Sequence, residues 1–186
     1  MHDRDEIEIV IPDQEAWDER KNEFIAVKGG TIRMKHSLLS ISKWEMKWKK
    51  PFLKPDYVMT PEETLDYYKC MTITQNVDPN IYSFISAVDQ ERIKRYIEDP
   101  KSAYKKIQSK KKGSSKAAIV SERIYFWMTA YNIPSSYEKW HLSRLLNLIE
   151  IASDENAPKE KMSTEELFRR NRDLNAARRK ALGTRG

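Results

Sequence analysis

Prolines recur so often in this chain that no single helix can dominate it. Pro51, Pro55, Pro61, Pro79, Pro100, Pro134 and Pro158 follow one another through the region after residue 37, and each removes a backbone donor and pushes the residue before it out of the α region. Helices between them must be short and must stop at defined places. The sequence supplies the matching starts. Ser37 can cap a helix that carries Leu38, Ile41, Glu45 and Trp48 on one side and ends before Pro51. Thr60-Pro61-Glu62-Glu63 offers an N-cap, a proline at the first helical position and early carboxylates, which predicts a helix over 61–74. Asp78-Pro79 opens a second helical stretch through Phe84 and Ile85, and Asp89 is read as the cap of a third, with Ile93 and Ile97, that ends at Asp99-Pro100.

Beyond Pro100, residues 101–116 carry seven lysines, no acid and a Gly-Ser-Ser break, which predicts a solvated connection. Residues 115–132 then read as a helix, with Ile124, Trp127, Met128 and Tyr131 in an apolar stripe. Pro134-Ser135-Ser136 precedes the most regular pattern, Tyr137 to Ala152. Ser163 and Glu166 stand in capping-box spacing before a last helix that reaches Leu182. That helix has only Leu167, Leu174 and Ala181 as a sparse stripe among many arginines, so it buries little by itself.

Ahead of Ser37 the period changes to two. Glu6 to Ile11 alternate charged and apolar residues up to Pro12, as in a half-buried strand. Phe24–Val27 and Thr31–Met34 are β-compatible runs on either side of Lys28-Gly29-Gly30, and paired glycines suit a tight turn, so these two runs are expected to form a hairpin. The fold class predicted is therefore mainly α: one helical domain with a short N-terminal β-hairpin, divided into a hairpin region (1–36), a helical core (37–162) and a basic C-terminal helix (163–186).

A chain of 186 residues can bury roughly 70 % of its unfolded surface, and five Trp, nine Tyr and five Phe supply large core side chains. Cys70 is the single cysteine, so no internal disulfide is possible. Residues 1–10 lack a basic segment followed by an apolar one, and no run approaches the ~18–20 apolar residues of a membrane span. Neither export nor membrane insertion is expected. Net charge is +6, but residues 1–30 hold nine acids against four bases, which leaves the remainder near +11. This polarity favours a charged partner or head-to-tail self-association, although solvated charge asymmetry of this kind also occurs without a purpose.

Chemistry-bearing motifs are missing. His2, His36 and His141 stand far apart beside one cysteine, without zinc-ligand spacing. There is no P-loop, Gly-x-Gly-x-x-Gly turn or Gly-x-Ser-x-Gly elbow, so no catalytic, cofactor-binding or metal-binding residue is expected. His141, beside Trp140, is read as structural. Trp44 and Trp48, four apart and bordered by lysines, could stack on bases; the commoner arrangement turns the indoles inward under lysine stems. Lys110, Lys111 and Lys112 are the candidates for phosphate contact.

Three stretches carry a family resemblance: His36 to Glu45 continued by Trp48-Lys49-Lys50-Pro51-Phe52-Leu53, then Lys139 to Leu146, then Asn175-Ala176-Ala177-Arg178-Arg179 running to Gly186. In this order they resemble the tail assembly chaperones of long-tailed bacteriophages. The resemblance implies a non-enzymatic protein of the bacterial host cytoplasm that binds the tape-measure protein and helps recruit tail-tube subunits, with no membrane and no cofactor. Partner contacts are then expected from Trp44 and Trp48 on one helix and from Leu167, Leu174, Arg178 and Arg179 on the last. A small basic nucleic-acid-binding protein, or a permanent tail or connector component, are the alternatives.

Overall fold

A computed structural model describes residues 5–18, 22–104, 118–157 and 164–183, apart from the side chains at 16, 18, 25, 164, 166 and 167. Contacts divide the chain into two units, Met1–Ser153 and Asp154–Gly186. Helices dominate, with antiparallel strands at the N-terminus.

The strands depart from expectation. β1 (Ile7–Ile11) pairs with β4 (Gly30–Met34), while β2 (Gln14–Asp18) pairs with β3 (Glu23–Val27). The two runs expected to pair with each other, in β3 and β4, are instead consecutive segments of one side of a longer hairpin. Its turn lies between Asp18 and Glu23, and Lys28-Gly29 is an interruption opposite Pro12-Asp13. Proline explains the interruption, because it has no N–H to give to a ladder. Gly29 is selected by close approach and not by a positive φ: a Cβ there would collide with the Ile11 carbonyl oxygen and the backbone of Pro12 and Asp13. Its N–H donates to Asp13 Oδ1 at 2.8 Å, so the gap is bridged by a side chain.

Alternation holds along the inner pair. Ile9, Ile11, Ile32 and Met34 point into the core, while Val10 and Arg33 face out. The outer edge of β4 is partly covered: Ile73 N–H donates to the Arg33 carbonyl at 2.9 Å and Lys35 N–H to that of Met71 at 2.8 Å.

α1 (Leu38–Trp48) starts at Ser37 in a capping box whose third residue is Ser40. α2 (Pro61–Met71) has the box of Thr60 with Glu63 and stops three residues earlier than expected. A 3₁₀ turn at Ile81–Phe84 stands in place of the helix predicted after Pro79. α3 (Ala87–Glu98) is capped by Ser86, and Asp89 is its third residue, so the expected cap moves upstream by three. α4 (Ser121–Ala130) starts later than the expected 115, because Ile119 is extended and bridges to Leu53; α5 (Leu142–Asn156) follows, with a 3₁₀ turn at Ser135–Lys139 taking the place of its predicted first turn. α6 (Thr164–Leu182) ends at Gly183. The expected Ser163 cap and most of the lysine-rich stretch 101–116 lie outside the described residues.

In the first unit the core joins the inner strands to α1–α5 through Ile41 and Trp44, Tyr67 and Met71, Ile93, Ile124 and Leu145. α1 sits at its centre, packed on both α2 and α4. The sparse apolar content is thus concentrated where the helices meet.

Candidate partner-binding surfaces

The α1–α2 face decides the fate of the two tryptophans. Trp44 is completely buried, and its Nε1 donates to the Glu63 carbonyl at 3.0 Å. Trp48, half-buried, stacks on it with centroids 6.2 Å apart and donates to Asp66 Oδ2 at 2.9 Å. Lys47 pairs with Asp66, and Lys50 Nζ lies 2.5 Å from Glu63 Oε1; both ammonium groups also lie within 6 Å of the Trp48 ring centre. Neither indole stands ready for a base or a partner helix. The expected partner contact at Trp44 is corrected, because α2 occupies the surface it would need, and Trp48 is engaged by α2 as well.

The carboxylates beneath these lysines are structural. Lys50, the Thr60 N–H and the Tyr57 hydroxyl converge on Glu63 and pull its carboxyl down to about 2. Glu45, buried on α1, accepts from Phe52 N–H and Ser121 N–H, both at 2.7 Å. It serves as the missing cap of α4, whose N-cap residue Val120 has no side-chain acceptor.

The two histidines that look unrelated in sequence meet inside the unit. His36 and His141 are buried with ring centroids 5.1 Å apart, where Ser37 bridges to His141 in an isolated β contact. His36 Nδ1 lies 2.5 Å from the Tyr67 hydroxyl. His141 Nε2 donates to the Tyr96 carbonyl at 3.0 Å, which leaves Nδ1 as the bare nitrogen, without a hydrogen-bond partner. Burial, and secondarily the charge of the other imidazole, lowers His36 to about 3; burial lowers His141 too. Tyr96 ties the pair to the hairpin, since its hydroxyl accepts from the His36 N–H at 3.1 Å and donates to the Asp5 carbonyl at 2.5 Å. Nothing in the sequence could have signalled this pair, because 105 positions separate its members and no shared motif links them.

Among the described residues no group of three His, Cys, Asp or Glu side chains converges as metal ligands would. Burial pushes the half-buried Cys70 thiol up to about 11, away from nucleophilic use. Tyr137 and Trp140 stack at 3.8 Å with the Arg144 guanidinium 4.1 Å from the Trp140 ring centre, so this surface aromatic cluster is already self-stacked. A cleft of about 550 Å³ between Lys28–Ile32 and Thr74–Asp78 gathers no reactive set.

Two exposed surfaces stand out among the described residues. On the outer hairpin, Trp17 and Phe24 are direct cross-strand partners in edge-to-face contact at 4.9 Å, yet 49 % and 69 % exposed. On α6 every residue from Phe168 to Leu182 is exposed, including Leu174, at 47 %, and Leu182, at 75 %. Leu174, Arg178 and Leu182 follow one another at four-residue steps on one face. Of the expected contact residues, Leu174, Arg178 and Arg179 are therefore accessible; the Leu167 side chain and Lys110, Lys111 and Lys112 lie outside the described residues. Sequence reasoning missed the Trp17–Phe24 pair, although a hairpin assigned with its turn near residue 20 would have placed the two rings opposite each other.

Among the described residues no helix is long and apolar enough to cross a membrane. No protein-family model, curated protein or solved structure matches the chain.

Proposed function

We propose that the chain is an assembly factor of the tail-assembly-chaperone kind, acting without catalysis in the bacterial cytoplasm: it binds the tape-measure protein of a long-tailed bacteriophage and helps bring tail-tube subunits to it. One observation carries the reading beyond the resemblance. α6 is a 19-residue helix whose apolar and arginine side chains stand exposed together, and a helix with so little of its own burial gains stability by laying that face on another helix. An elongated helical client offers many such positions, and repeated weak contacts along it add through avidity.

The test is co-expression with the neighbouring tape-measure protein and pull-down at low and high salt, comparing the full chain with one that ends at Ala157. Salt-resistant capture that is lost on truncation supports the reading. Capture that survives truncation removes α6 from the contact. Recovery of nucleic acid alone, released at high salt, would replace the reading with a phosphate-binding one, and retention of the protein in mature particles would make it a structural tail component.

A further inference from the structure

We infer that the outer hairpin and α6 are the two complementary halves of one contact between copies of this chain, in which the acidic, aromatic hairpin of one molecule receives the basic helix of a second. Net charge disfavours the like-with-like alternatives. Residues 1–30 hold nine acids and four bases, so two hairpin regions repel; α6 carries six bases (Arg169, Arg170, Arg172, Arg178, Arg179, Lys180) against three acids (Glu165, Glu166, Asp173), so two helices repel as well. Opposite surfaces attract, and unlike pairing is the one that charge complementarity selects.

The apolar geometry fits the same pairing. Directly opposed strand residues share a face, as do residues two apart along one strand, so Glu15 lies on the side of Trp17 and Phe24. The step from that aromatic pair to Glu15 is about 7 Å along the strand. On α6 the step from Leu174 to Arg178 is about 6 Å along the axis. A leucine of the helix can therefore cover the exposed rings while Arg178 meets Glu15, with each apolar group meeting an apolar group and each charge its opposite.

Such a contact is heterologous: each copy has one hairpin to offer and one helix to give, so association does not stop at a dimer unless the rotation closes a ring. The surfaces are small, which puts the contact among the weak, concentration-dependent ones. In the function proposed above the same α6 face serves the client, so client and second copy would compete for it. The experiment contains no client, and its outcome is separate from the fate of that reading.

The test is sedimentation velocity of the full chain from low-micromolar to near-millimolar concentration. The chain should pass from monomer to species larger than a dimer. Trp17→Ser/Phe24→Ser should keep the chain monomeric, as should Leu174→Glu/Leu182→Glu, with unchanged circular dichroism because all four side chains are exposed. An equimolar mixture of these two variants has one intact hairpin and one intact helix per pair, and it should form a species of two chains and none larger. Glu15→Arg and Arg178→Glu test the same contact by charge alone: each should weaken association about tenfold and the mixture should recover it. A monomeric wild-type chain at every concentration, self-association by either double variant alone, or a mixture that stays monomeric would overturn the inference.

Discussion

The Glu45 carboxylate accepts the backbone N–H of Ser121, 76 positions away, at 2.7 Å. Its other oxygen holds the N–H of Phe52, so a single side chain on α1 closes the start of α4 and the turn after α1. A buried carboxylate that satisfies two backbone donors fixes the relative placement of three segments, which an apolar contact alone would leave free to slide.

Replacement of Glu45 by Ala should therefore destabilise the first unit by about 2–4 kcal/mol, since it strands two buried or half-buried N–H groups. Glu45→Gln keeps one acceptor and should lose about half as much. Urea-induced unfolding followed by tryptophan fluorescence reads both; equal effects of Gln and Ala would show that the carbonyl acceptor does not substitute for the carboxylate.

Gly29→Ala should destabilise the hairpin by about 1–3 kcal/mol, because the new methyl group meets backbone atoms on the opposite strand that cannot move aside singly. Gly30→Ala, one residue on, meets nothing and should leave the thermal midpoint unchanged within error. The pair is its own control, since the two positions are neighbours in the chain.

Acid should weaken the first unit through its histidines. Both folded-state pKa values lie below the ordinary 6.5, that of His36 near 3, so below pH 6.5 the unfolded chain takes up protons that the folded chain refuses. Stability is complete above 6.5 and declines as pH falls toward 3, at up to about 1.4 kcal/mol per pH unit for His36, with His141 adding to the loss in the same direction. Glu63 adds its own loss only below about 4.5, as pH falls toward its folded value near 2. Urea midpoints between pH 6.5 and 4.5 isolate the imidazoles, and His36→Gln should flatten the slope there relative to wild type.

Substitutions on the exposed face of α6 should leave the first unit's unfolding untouched. Leu174→Glu and Arg178→Glu are expected to shift its midpoint by no more than about 0.5 kcal/mol in free energy. A larger shift would mean that α6 supports the fold of the first unit.

The starts of α1 and α2 were legible because they are local, whereas α3 starts upstream of its expected Asp89 cap and α4 and α5 start later than their expected 115 and 137. Ser37 and Thr60 announce α1 and α2 through residues within a single turn, and Pro61 fixes its position at the first turn without reference to the rest of the chain. The hairpin was half legible: the alternation of Glu6 to Ile11 identified β1, but Lys28-Gly29-Gly30 carries the local signature of a turn while its actual constraint is the approach of Pro12 from the other strand. Trp44 was ambiguous for the same kind of reason. Indoles at i and i+4 under lysines look alike whether they await a partner or are covered already, and only the arrival of Glu63 and Asp66 from α2 distinguishes the two. Of the candidate surfaces, the arginine and leucine face of α6 followed from helical spacing, whereas the Trp17–Phe24 pair depended on a strand register that the sequence placed one turn too late.

That register constrains how the gene can vary. Partner positions add to the same value in the inner and outer halves of the hairpin, Ile7 with Met34 and Gln14 with Val27, because the interruption removes two residues from each side. Loss or gain of one codon on one side only would put the inner and outer halves out of step, leaving an unmatched residue to bulge where Gly29 already meets the backbone of Pro12 and Asp13. Matched changes on both sides would keep the two halves in step, so length variants of this protein should show insertions and deletions here only as compensated pairs.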